Sequence, residues 1–379
     1  MLSKPKVVVT GGLGFIGIHL VRDLLRRGFA VRVIDNLTPQ IHGHLPCIDN
    51  GLVDEPGFEF TRANILNPKA LGEVLHGMDY LVHLAAETGT AQSMYDISRY
   101  NVVNSQGTAG ILDWLVNVKP SIKKVVLASS RSIYGEGAYQ CETCGLVTPS
   151  SRTADALAGG KWDPVCPICH GPINLIATRE DSRPAPASIY AATKLAQEDL
   201  VRIACGSSGI PYAILRFQNV YGEGQSLKNP YTGILSIFST RIRRGLNLPI
   251  FEDGLESRDF VHVQDVVRAI QLCMASEAVT GQVFNVGSGV PVPVLDVAKM
   301  LIKVLKGTSV TEITGQYRVG DIRHCYADIS ALRAATGFEP LVSLEDGLAA
   351  FAGWVSGQPL PEDGLDRANQ VLIEKGLMK

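Results

Sequence analysis

Long apolar runs are missing from this chain of 379 residues, and neither sign of charge is in excess. No apolar run approaches the roughly 18 residues that a membrane-spanning helix needs, so we expect no membrane span. The formal net charge is −2, which gives no reason to expect nucleic acid or an anionic membrane as a partner. We find no internal repeat and no low-complexity tract, which argues against a solenoid or a disordered chain.

The chain begins without the pattern of a secretory signal peptide, because residues 1–6 run directly into an apolar strand. We therefore expect a soluble cytoplasmic protein. The length suits two domains, or one large α/β domain with an appended part.

A glycine-rich loop joins the first predicted strand to the first predicted helix. Residues 6–10 are typical of a buried parallel strand, and Gly11, Gly14 and Gly17 follow before an amphipathic helix. The second strand, residues 31–34, ends on Asp35. This order is the context of a dinucleotide-binding fingerprint, in which the glycines bring backbone N–H groups to a pyrophosphate. Because an acid at the position of Asp35 binds the adenosine ribose and repels a 2′-phosphate, the sequence predicts NAD as cofactor.

Strand and helix signals then alternate along the chain, which predicts an α/β fold with a Rossmann-type, doubly wound parallel sheet. We expect further strands at 58–65, 79–86, 123–130, 212–217 and 282–286, and helices at 97–116, 235–244, 263–275 and 295–305. The predicted NAD-binding domain covers residues 1–215. A smaller substrate-binding lobe covers 216–356, and some of its elements could rejoin the sheet. A polar C-terminal tail, 357–379, is expected to pack loosely on the surface.

Tyr190 and Lys194 lie four residues apart in a predicted helix, so their side chains share one face. That spacing alone is more often a packed ring beside a solvated charge. Beside a nicotinamide and a hydroxyl donor, however, the ammonium of Lys194 would favour the phenolate of Tyr190. Ser129 and Ser130 end a predicted strand at the edge where parallel sheets bind ligands. These serines are the candidates for the hydroxyl donor that Tyr190 and Lys194 require.

The alternation stops between residues 136 and 187, which we predict to be an insertion with two Cys-x-x-Cys pairs. The cysteines of the two pairs are Cys141, Cys144, Cys166 and Cys169, with 21 residues between the pairs. This spacing predicts a zinc-ribbon-like module with a closed, structural zinc site. Two disulfides, or four unrelated cysteines, are the alternatives. The other cysteines are isolated and expected to be ordinary buried or free thiols: Cys47, Cys205, Cys273 and Cys325.

In their order along residues 5–355, these motifs resemble the extended short-chain dehydrogenase/reductases, in particular the nucleotide-sugar epimerase and dehydratase branch. Besides the loop glycines and Asp35, the resemblance implies cofactor contacts from Phe15, Ile16, Asn36, Asn64, Ile65, Leu84, Ala85, Ala86, Asn104, Ser129, Tyr190 and Lys194. The family more often has Asp at the position of Asn64. The resemblance implies Ser130, Tyr190 and Lys194 as the catalytic residues. It also implies contacts to a nucleotide-diphosphate sugar from Arg131, Asn219, Arg258, Arg318 and Asp321. It also implies a homodimer that forms through the helices near residues 97–116 and 188–204.

The residues after Ser130 restrict the reaction that the resemblance implies. Family dehydratases carry an Asp–Glu pair there, and related decarboxylases carry Glu at the second position, whereas this chain has Arg131 and Ser132. Without an acid, elimination is disfavoured, and transient oxidation to a 4-keto-sugar with hydride return remains. NAD is then unchanged overall.

The substrate expectation comes from residues 87–94, residues 217–238 and the insertion. They are similar to the dTDP-L-rhamnose 4-epimerase group, which interconverts dTDP-L-rhamnose and dTDP-6-deoxy-L-talose. One alternative is a UDP-hexose (UDP-glucose/galactose) 4-epimerase. Another, from a different class, is a non-catalytic NAD-sensing scaffold whose zinc module binds a protein partner.

Overall fold

The computed structural model describes residues 4–43, 50–231 and 233–379, so Cys47 lies outside the described residues. The strands are β1 (Lys6–Thr10), β2 (Ala30–Asp35), β3 (Phe58–Arg62), β4 (Tyr80–His83), β5 (Lys124–Ser130), β6 (Tyr139–Cys141), β7 (Gly145–Val147), β8 (Asn174–Leu175), β9 (Tyr212–Phe217), β10 (Asn219–Tyr221), β11 (Leu248–Ile250), β12 (Ser257–His262), β13 (Gln282–Val286), β14 (Pro291–Pro293), β15 (Thr311–Ile313) and β16 (His324–Cys325).

The α-helices are α1 (Phe15–Arg26), α2 (Pro39–His42), α3 (Asn50–Val53), α4 (Pro68–Leu75), α5 (Thr90–Ser93), α6 (Ile97–Tyr100), α7 (Gly107–Val118), α8 (Ala154–Ala158), α9 (Ile189–Ser208), α10 (Ile234–Arg243), α11 (Val263–Ala275), α12 (Val294–Val304), α13 (Ser330–Thr336), α14 (Leu344–Ser356) and α15 (Leu365–Glu374). None of the helices in the described ranges combines the length and the apolarity needed to span a bilayer.

Seven parallel strands form the central sheet, in the order β13-β9-β5-β4-β1-β2-β3. Successive residues of a strand face opposite layers, and both layers are apolar: Val7 and Val9 pack in the core with α1 and α11, while Val8 packs with α4 and α7. The predicted doubly wound parallel sheet is therefore confirmed. β13, from the C-terminal part of the chain, forms one edge of this sheet.

The remaining strands form three small sheets outside the central one. β10, β12, β14 and β16 form one sheet and β11 pairs with β15, and α10, α12 and α14 share an apolar core with these strands. Strands β7, β6 and β8 form an antiparallel sheet in the cysteine-containing segment, with its own small core around Tyr139 and Val147.

The structure refines one prediction about local structure and contradicts another. The helix expected over residues 97–116 is α6, then a π-helical stretch at Asn101–Gln106, then α7. Within the π-helical stretch, Asn104 is hydrogen-bonded to Glu87 in a neighbouring loop and to Thr193 in α9, and apolar periodicity cannot show such contacts. The tail also does not lie loosely, because α15 buries Leu365, Ala368 and Leu372 against the rest of the protein.

Candidate active site

A cleft of about 460 Å³ lies at the carboxyl ends of the central strands. The order of the sheet reverses between β1 and β4, and such a switch point is where open α/β sheets bind ligands. Residues that the sequence assigns to cofactor, catalysis or substrate form much of the lining: Gly11, Gly14, Phe15, Ile16, Gly17, Asp35, Asn36, Asn64, Ile65, Leu84, Ala85, Ala86, Ser129, Ser130, Arg131, Tyr190, Lys194 and Asn219.

The glycine loop between β1 and α1 has the shape that a bound pyrophosphate needs. Gly11 has φ +67°, and a Cβ there would lie 2.8 Å from the backbone N of Ala85, so the loop and the end of β4 are in close contact. A Cβ on Gly17 would lie 2.5 Å from Gly11 O. No side chain caps the start of α1 and its first turn has no acid, so the N–H groups and the positive helix end can meet an anion. These residues fit a dinucleotide.

Asp35 stands beside this loop at the end of β2. Its carboxylate accepts hydrogen bonds from the backbone N of Leu13 (3.1 Å) and the backbone N of Leu37 (2.9 Å), which fix its orientation. An ionised carboxylate has about four acceptor positions, so capacity remains for ribose hydroxyls. The negative charge at this position is unfavourable for a 2′-phosphate.

Ser130 and Tyr190 come to the cleft from different elements. Ser130 is the last residue of β5, and its Oγ accepts from the backbone N of Ser132 (3.2 Å) at the start of a short 3₁₀ turn. Ser188 caps α9 through its side chain, which places Tyr190 in the first turn of that helix. The backbone N of Tyr190 also donates to Ser93 Oγ (3.0 Å), which ties α9 to α5.

The phenol of Tyr190 experiences opposing electrostatic effects. Burial is the largest and raises its pKa, whereas the hydrogen bond from Ser130 and the charge of Arg131 lower the pKa. Removal of either favourable neighbour would therefore disfavour the phenolate.

Lys194 lines the cleft one turn after Tyr190, but its Nζ donates to the backbone carbonyl of Ala128 (2.9 Å). Burial lowers the pKa of Lys194 to about 8, and the charge of Glu198 partly opposes that effect. The expectation that Lys194 lowers the pKa of Tyr190 is not met in this structure, where Ser130 and Arg131 exert that effect.

Behind the cleft lies a buried ion pair that the sequence analysis missed. Glu198 receives two guanidinium nitrogens of Arg216, the shortest contact being 2.7 Å, and also the hydroxyl of Ser129. Arg216 also donates to Tyr134 Oη (2.8 Å). Glu198 is four residues after Lys194 on the same helix face, and this spacing was the available signal.

Asn104 was expected to contact the cofactor, but it is fully buried and is not part of the cleft lining. Its side chain accepts from Glu87 N (2.8 Å) and donates to Glu87 O (3.1 Å) and to Thr193 Oγ1 (3.0 Å). Asn104 thus connects the loop after β4 with the catalytic helix α9.

The residues expected to bind a diphosphate are divided between the cleft and its surroundings. Arg131 and Asn219 line the cleft, and Arg131 Nε donates to Asn219 Oδ1 (2.8 Å). Arg258, Arg318 and Asp321 do not line it. Burial and the neighbouring charge of Arg258 lower the pKa of Arg131.

The guanidinium of Arg258 donates to backbone carbonyls of Ser257, Ile322 and Arg323. Arg318 lies over the ring of Phe251 and donates to Asn369 Oδ1 (3.0 Å). Among the described residues, neither Arg258 nor Arg318 is in an ion pair, and both guanidinium groups have neutral hydrogen-bond partners.

The four cysteines of the two Cys-x-x-Cys pairs converge. Their sulfur atoms all lie within 4.8 Å of one another, and Cys141 Sγ is 3.6 Å from Cys169 Sγ. A disulfide requires about 2.05 Å, so these two atoms are not bonded. The distances suit four thiolates around one ion, since zinc–sulfur bonds of about 2.3 Å give sulfur–sulfur edges of about 3.8 Å.

Known proteins share this architecture. The profile of the NAD dependent epimerase/dehydratase family matches residues 7–154 and 169–287. A dTDP-L-rhamnose 4-epimerase from Burkholderia thailandensis is 37% identical over 372 residues, which cover 97% of this chain and 98% of that protein.

Solved structures agree with this comparison. The UDP-glucuronic acid 4-epimerase of Bacillus cereus, in complex with UDP-glucuronic acid and NAD, has a TM-score of 0.75 at 27% identity and covers 93% of this chain and 99% of its own. The UDP-N-acetylglucosamine 4-epimerase of Methanobrevibacter ruminantium M1 has a TM-score of 0.76 at 28% identity and covers 94% and 100%. The chain belongs to the NAD-dependent epimerase/dehydratase family, within the extended short-chain dehydrogenase/reductases.

Proposed function

We propose that this NAD-dependent nucleotide-sugar epimerase interconverts dTDP-L-rhamnose and dTDP-6-deoxy-L-talose by inverting C4 of the sugar. The observation that carries the proposal is the convergence of Ser130, Tyr190 and Lys194 on a cleft where the residues after Ser130 are Arg131 and Ser132. The choice of sugar is supported by the 37% identity to a dTDP-L-rhamnose 4-epimerase, against 27% and 28% for the two UDP-sugar enzymes above.

The side chains at the cleft would divide the work as follows. The phenolate of Tyr190 takes the proton of the C4 hydroxyl, and Ser130 hydrogen-bonds the same oxygen. Arg131 and Ser130 stabilise the phenolate against burial. NAD, which the glycine loop and Asp35 would hold, would supply the hydride acceptor and donor for oxidation and reduction at C4. Tyr190 then returns the proton, so no group is consumed.

Besides Asp35, which stands beside the glycine loop, the cleft lining contains the acid Glu87, which must be considered as an elimination catalyst. Its carboxylate pairs with Arg99 at 2.7 Å. Arg99 occupies this carboxylate, which favours hydride return over loss of water.

The test is incubation of the protein and NAD with dTDP-L-rhamnose, with UDP-glucose in parallel, and product analysis by NMR. We expect dTDP-6-deoxy-L-talose from the first and no product from the second. UDP-galactose from UDP-glucose alone would assign the UDP-hexose function instead. Tyr190→Phe is expected to bind NAD normally and to lose nearly all turnover. A protein that inverts neither sugar would contradict the proposal and favour the scaffold function.

We also propose that the cysteine cluster holds one structural zinc ion. Four thiolates close a tetrahedral shell and leave no position for water, so the ion would stabilise the fold of the insertion and take no part in the reaction. Elemental analysis is expected to find one zinc per chain and none in Cys141→Ser/Cys144→Ser. Cys205→Ser, which changes a buried cysteine elsewhere, is the matched control and should keep the metal. Metal-free wild-type protein would contradict this assignment.

A homodimer through α6, α7 and α9 is proposed as well. Ile97 is 51% exposed and Ile203 is 59% exposed, so both expected helices present apolar side chains to solvent. Light scattering should give twice the chain mass, and Ile203→Lys should give the monomer. A wild-type monomer would contradict the proposal.

A further inference from the structure

The segment between β15 and α13, residues 317–328, is here called the strap. It carries Arg318 and Asp321, the expected diphosphate contacts. Its regular structure is limited to β16, which pairs with β12. Neighbouring segments must therefore hold the strap in place. On one side, Tyr317 N donates to Lys379 O (2.9 Å) and Val319 N to Leu377 O (2.9 Å).

On its other side the strap is held by the insertion, residues 136–187, through Arg152. This side chain is 3% exposed, and its Nη2 donates to the backbone carbonyl of Asp321 (2.9 Å). Its other nitrogens reach Glu136 Oε1 (3.1 Å) and Glu252 Oε1 (2.8 Å). One guanidinium thus joins the insertion, the lobe and the strap.

Arg323 makes the reciprocal connection from the strap to the insertion. Its backbone N donates to Glu136 Oε2 (2.6 Å), and its Nε donates to Asp163 Oδ1 (2.8 Å). Its side chain is 2% exposed and also contacts Asp253 at 2.6 Å. Buried guanidinium groups with several carboxylate partners keep one geometry, because moving any partner leaves a buried charge unpaired.

The turn that contains Arg318 and Asp321 also packs against the far end of the insertion. Gly320 has φ +86°, and a Cβ there would lie 2.9 Å from Ala187 O. Ala187 directly precedes Ser188, the N-cap of the helix that carries Tyr190. The turn is therefore fixed relative to the catalytic tyrosine by backbone contact.

The predicted diphosphate contact Arg258 depends on the same strap. Its guanidinium donates to the carbonyls of Ile322 (2.8 Å) and Arg323 (2.9 Å), next to the carbonyl of Asp321 that Arg152 holds. Three consecutive carbonyls of the strap thus accept from two arginines, one in the insertion and one in β12. A displacement of the strap would move Arg258 and Arg318 together.

We propose that the insertion is the support of the substrate-binding strap, and that Arg152 is a positioning residue that sets the affinity for the nucleoside diphosphate part of the substrate. The inference rests on the proposed function and on the expectation, from the family resemblance, that Arg318 and Asp321 of the strap contact the diphosphate. Arg152 itself acts through the backbone of Asp321 and does not contact the reacting sugar. Its loss should therefore raise KM and leave kcat nearly unchanged.

The test compares Arg152→Lys and Gly320→Ala with wild type, and Arg333→Lys, in an exposed ion pair on α13, is the control. Lysine keeps the charge but has one terminal nitrogen, so it cannot serve Glu136, Glu252 and the strap together. Measured are KM and kcat for dTDP-L-rhamnose, Kd for dTDP by calorimetry, NAD content and melting temperature. For both variants we expect KM and Kd to rise about tenfold while kcat stays within about twofold. NAD content should not change, and Arg333→Lys should match wild type.

The inference is overturned if both variants bind dTDP as wild type does, or if kcat falls while KM is unchanged. If Arg152→Lys does not fold, Gly320→Ala decides in the same way. A wild type that binds dTDP but does not convert dTDP-L-rhamnose would refute the proposed substrate. In that case the Kd values of wild type and Arg152→Lys for dTDP would still test the role of Arg152. A wild type that binds neither dTDP nor UDP would overturn the inference.

Discussion

Replacing Gly17 with alanine adds one methyl group at the closest backbone contact of the cofactor loop. The added carbon would lie 2.5 Å from Gly11 O and 2.7 Å from Gly12 Cα. Both neighbours are backbone atoms, so no side chain can turn away to relieve the contact. The loop must move relative to α1 by roughly 0.5 Å to reach 3.0 Å, the short limit of real Cβ contacts.

That displacement has a calculable consequence for NAD. Inserting a methyl group into a close-packed site costs about 1–3 kcal/mol. The cost falls on the geometry that brings N–H groups to the pyrophosphate, so the affinity for NAD should fall about ten- to a hundredfold. The fold should survive, since the sheet core around Val7 and Val9 is unchanged.

Calorimetric titration with NAD measures the loss, and melting temperatures with and without NAD report it independently. Gly353→Ala is the matched control, because that helical position in α14 has no heavy atom within 4 Å of the added carbon. It should bind NAD as wild type does and gain about 0.5–1 kcal/mol of stability. Wild-type NAD affinity in Gly17→Ala would refute the assignment of this loop as the pyrophosphate site.

Three further perturbations test the electrostatics of the site. Arg131→Gln removes a charge that lowers the pKa of Tyr190. The acid limb of the pH profile of kcat/KM should therefore move to higher pH, and activity at pH 7 should fall about tenfold or more. An acid limb at the wild-type pH would contradict this prediction. Glu198→Gln leaves Arg216 with an unpaired buried charge and should lower the free energy of unfolding, measured by urea titration, by about 3–5 kcal/mol. A loss below about 1 kcal/mol would contradict the description of Glu198 and Arg216 as a buried ion pair. Burial lowers the pKa of Lys194 from 10.5 to about 8, so between these pH values the unfolded chain binds more protons than the folded protein. The free energy of unfolding should therefore rise with pH, by about 3 kcal/mol in total. Lys194→Met should remove this rise, and an equal rise in the variant would assign it to other groups.

The central sheet could be predicted from the sequence because its strands are buried on both faces. Such strands are continuous apolar runs, as in β1 and β9, and the glycine loop and Asp35 then identify the cofactor edge. The tail prediction failed although α15 carries a periodic signal, with Leu365, Ala368 and Leu372 on one face. Polar residues between these positions hid it.

The buried polar network could not be predicted, because its members come from distant parts of the chain. Glu136, Arg152, Glu252 and Arg323 are ordinary charged residues in the sequence and give no periodic or spacing signal. Only the tertiary structure brings these residues together. Their pairing matters for stability because they are buried, and a buried charge without a partner is costly. By contrast, the residues that local motifs indicate, which are the glycine loop, Ser130, Tyr190 and Lys194, line one cleft.

The insertion interrupts the chain between Ser130 and Tyr190, yet both side chains reach one cleft. This is possible because the two ends of the insertion lie close together in space. Ala185 N donates to Ile133 O (2.8 Å), and a Cβ on Gly135 would clash with Ala185 O. Because of this contact between the two ends, here called the closure, the position of Ser130 relative to Tyr190 does not depend on the length of the inserted segment.

Gly135→Ala should open this closure. Gly135 also has φ +61°, which alanine rarely adopts. Separation of Ser130 from Tyr190 should lower kcat about tenfold or more, while the affinity for dTDP, which depends on the strap, stays near wild type. Steady-state kinetics and calorimetry on one preparation distinguish the two effects. A rise in KM at constant kcat would show instead that the closure serves the strap and that the catalytic pair is fixed by β5 and α9 alone.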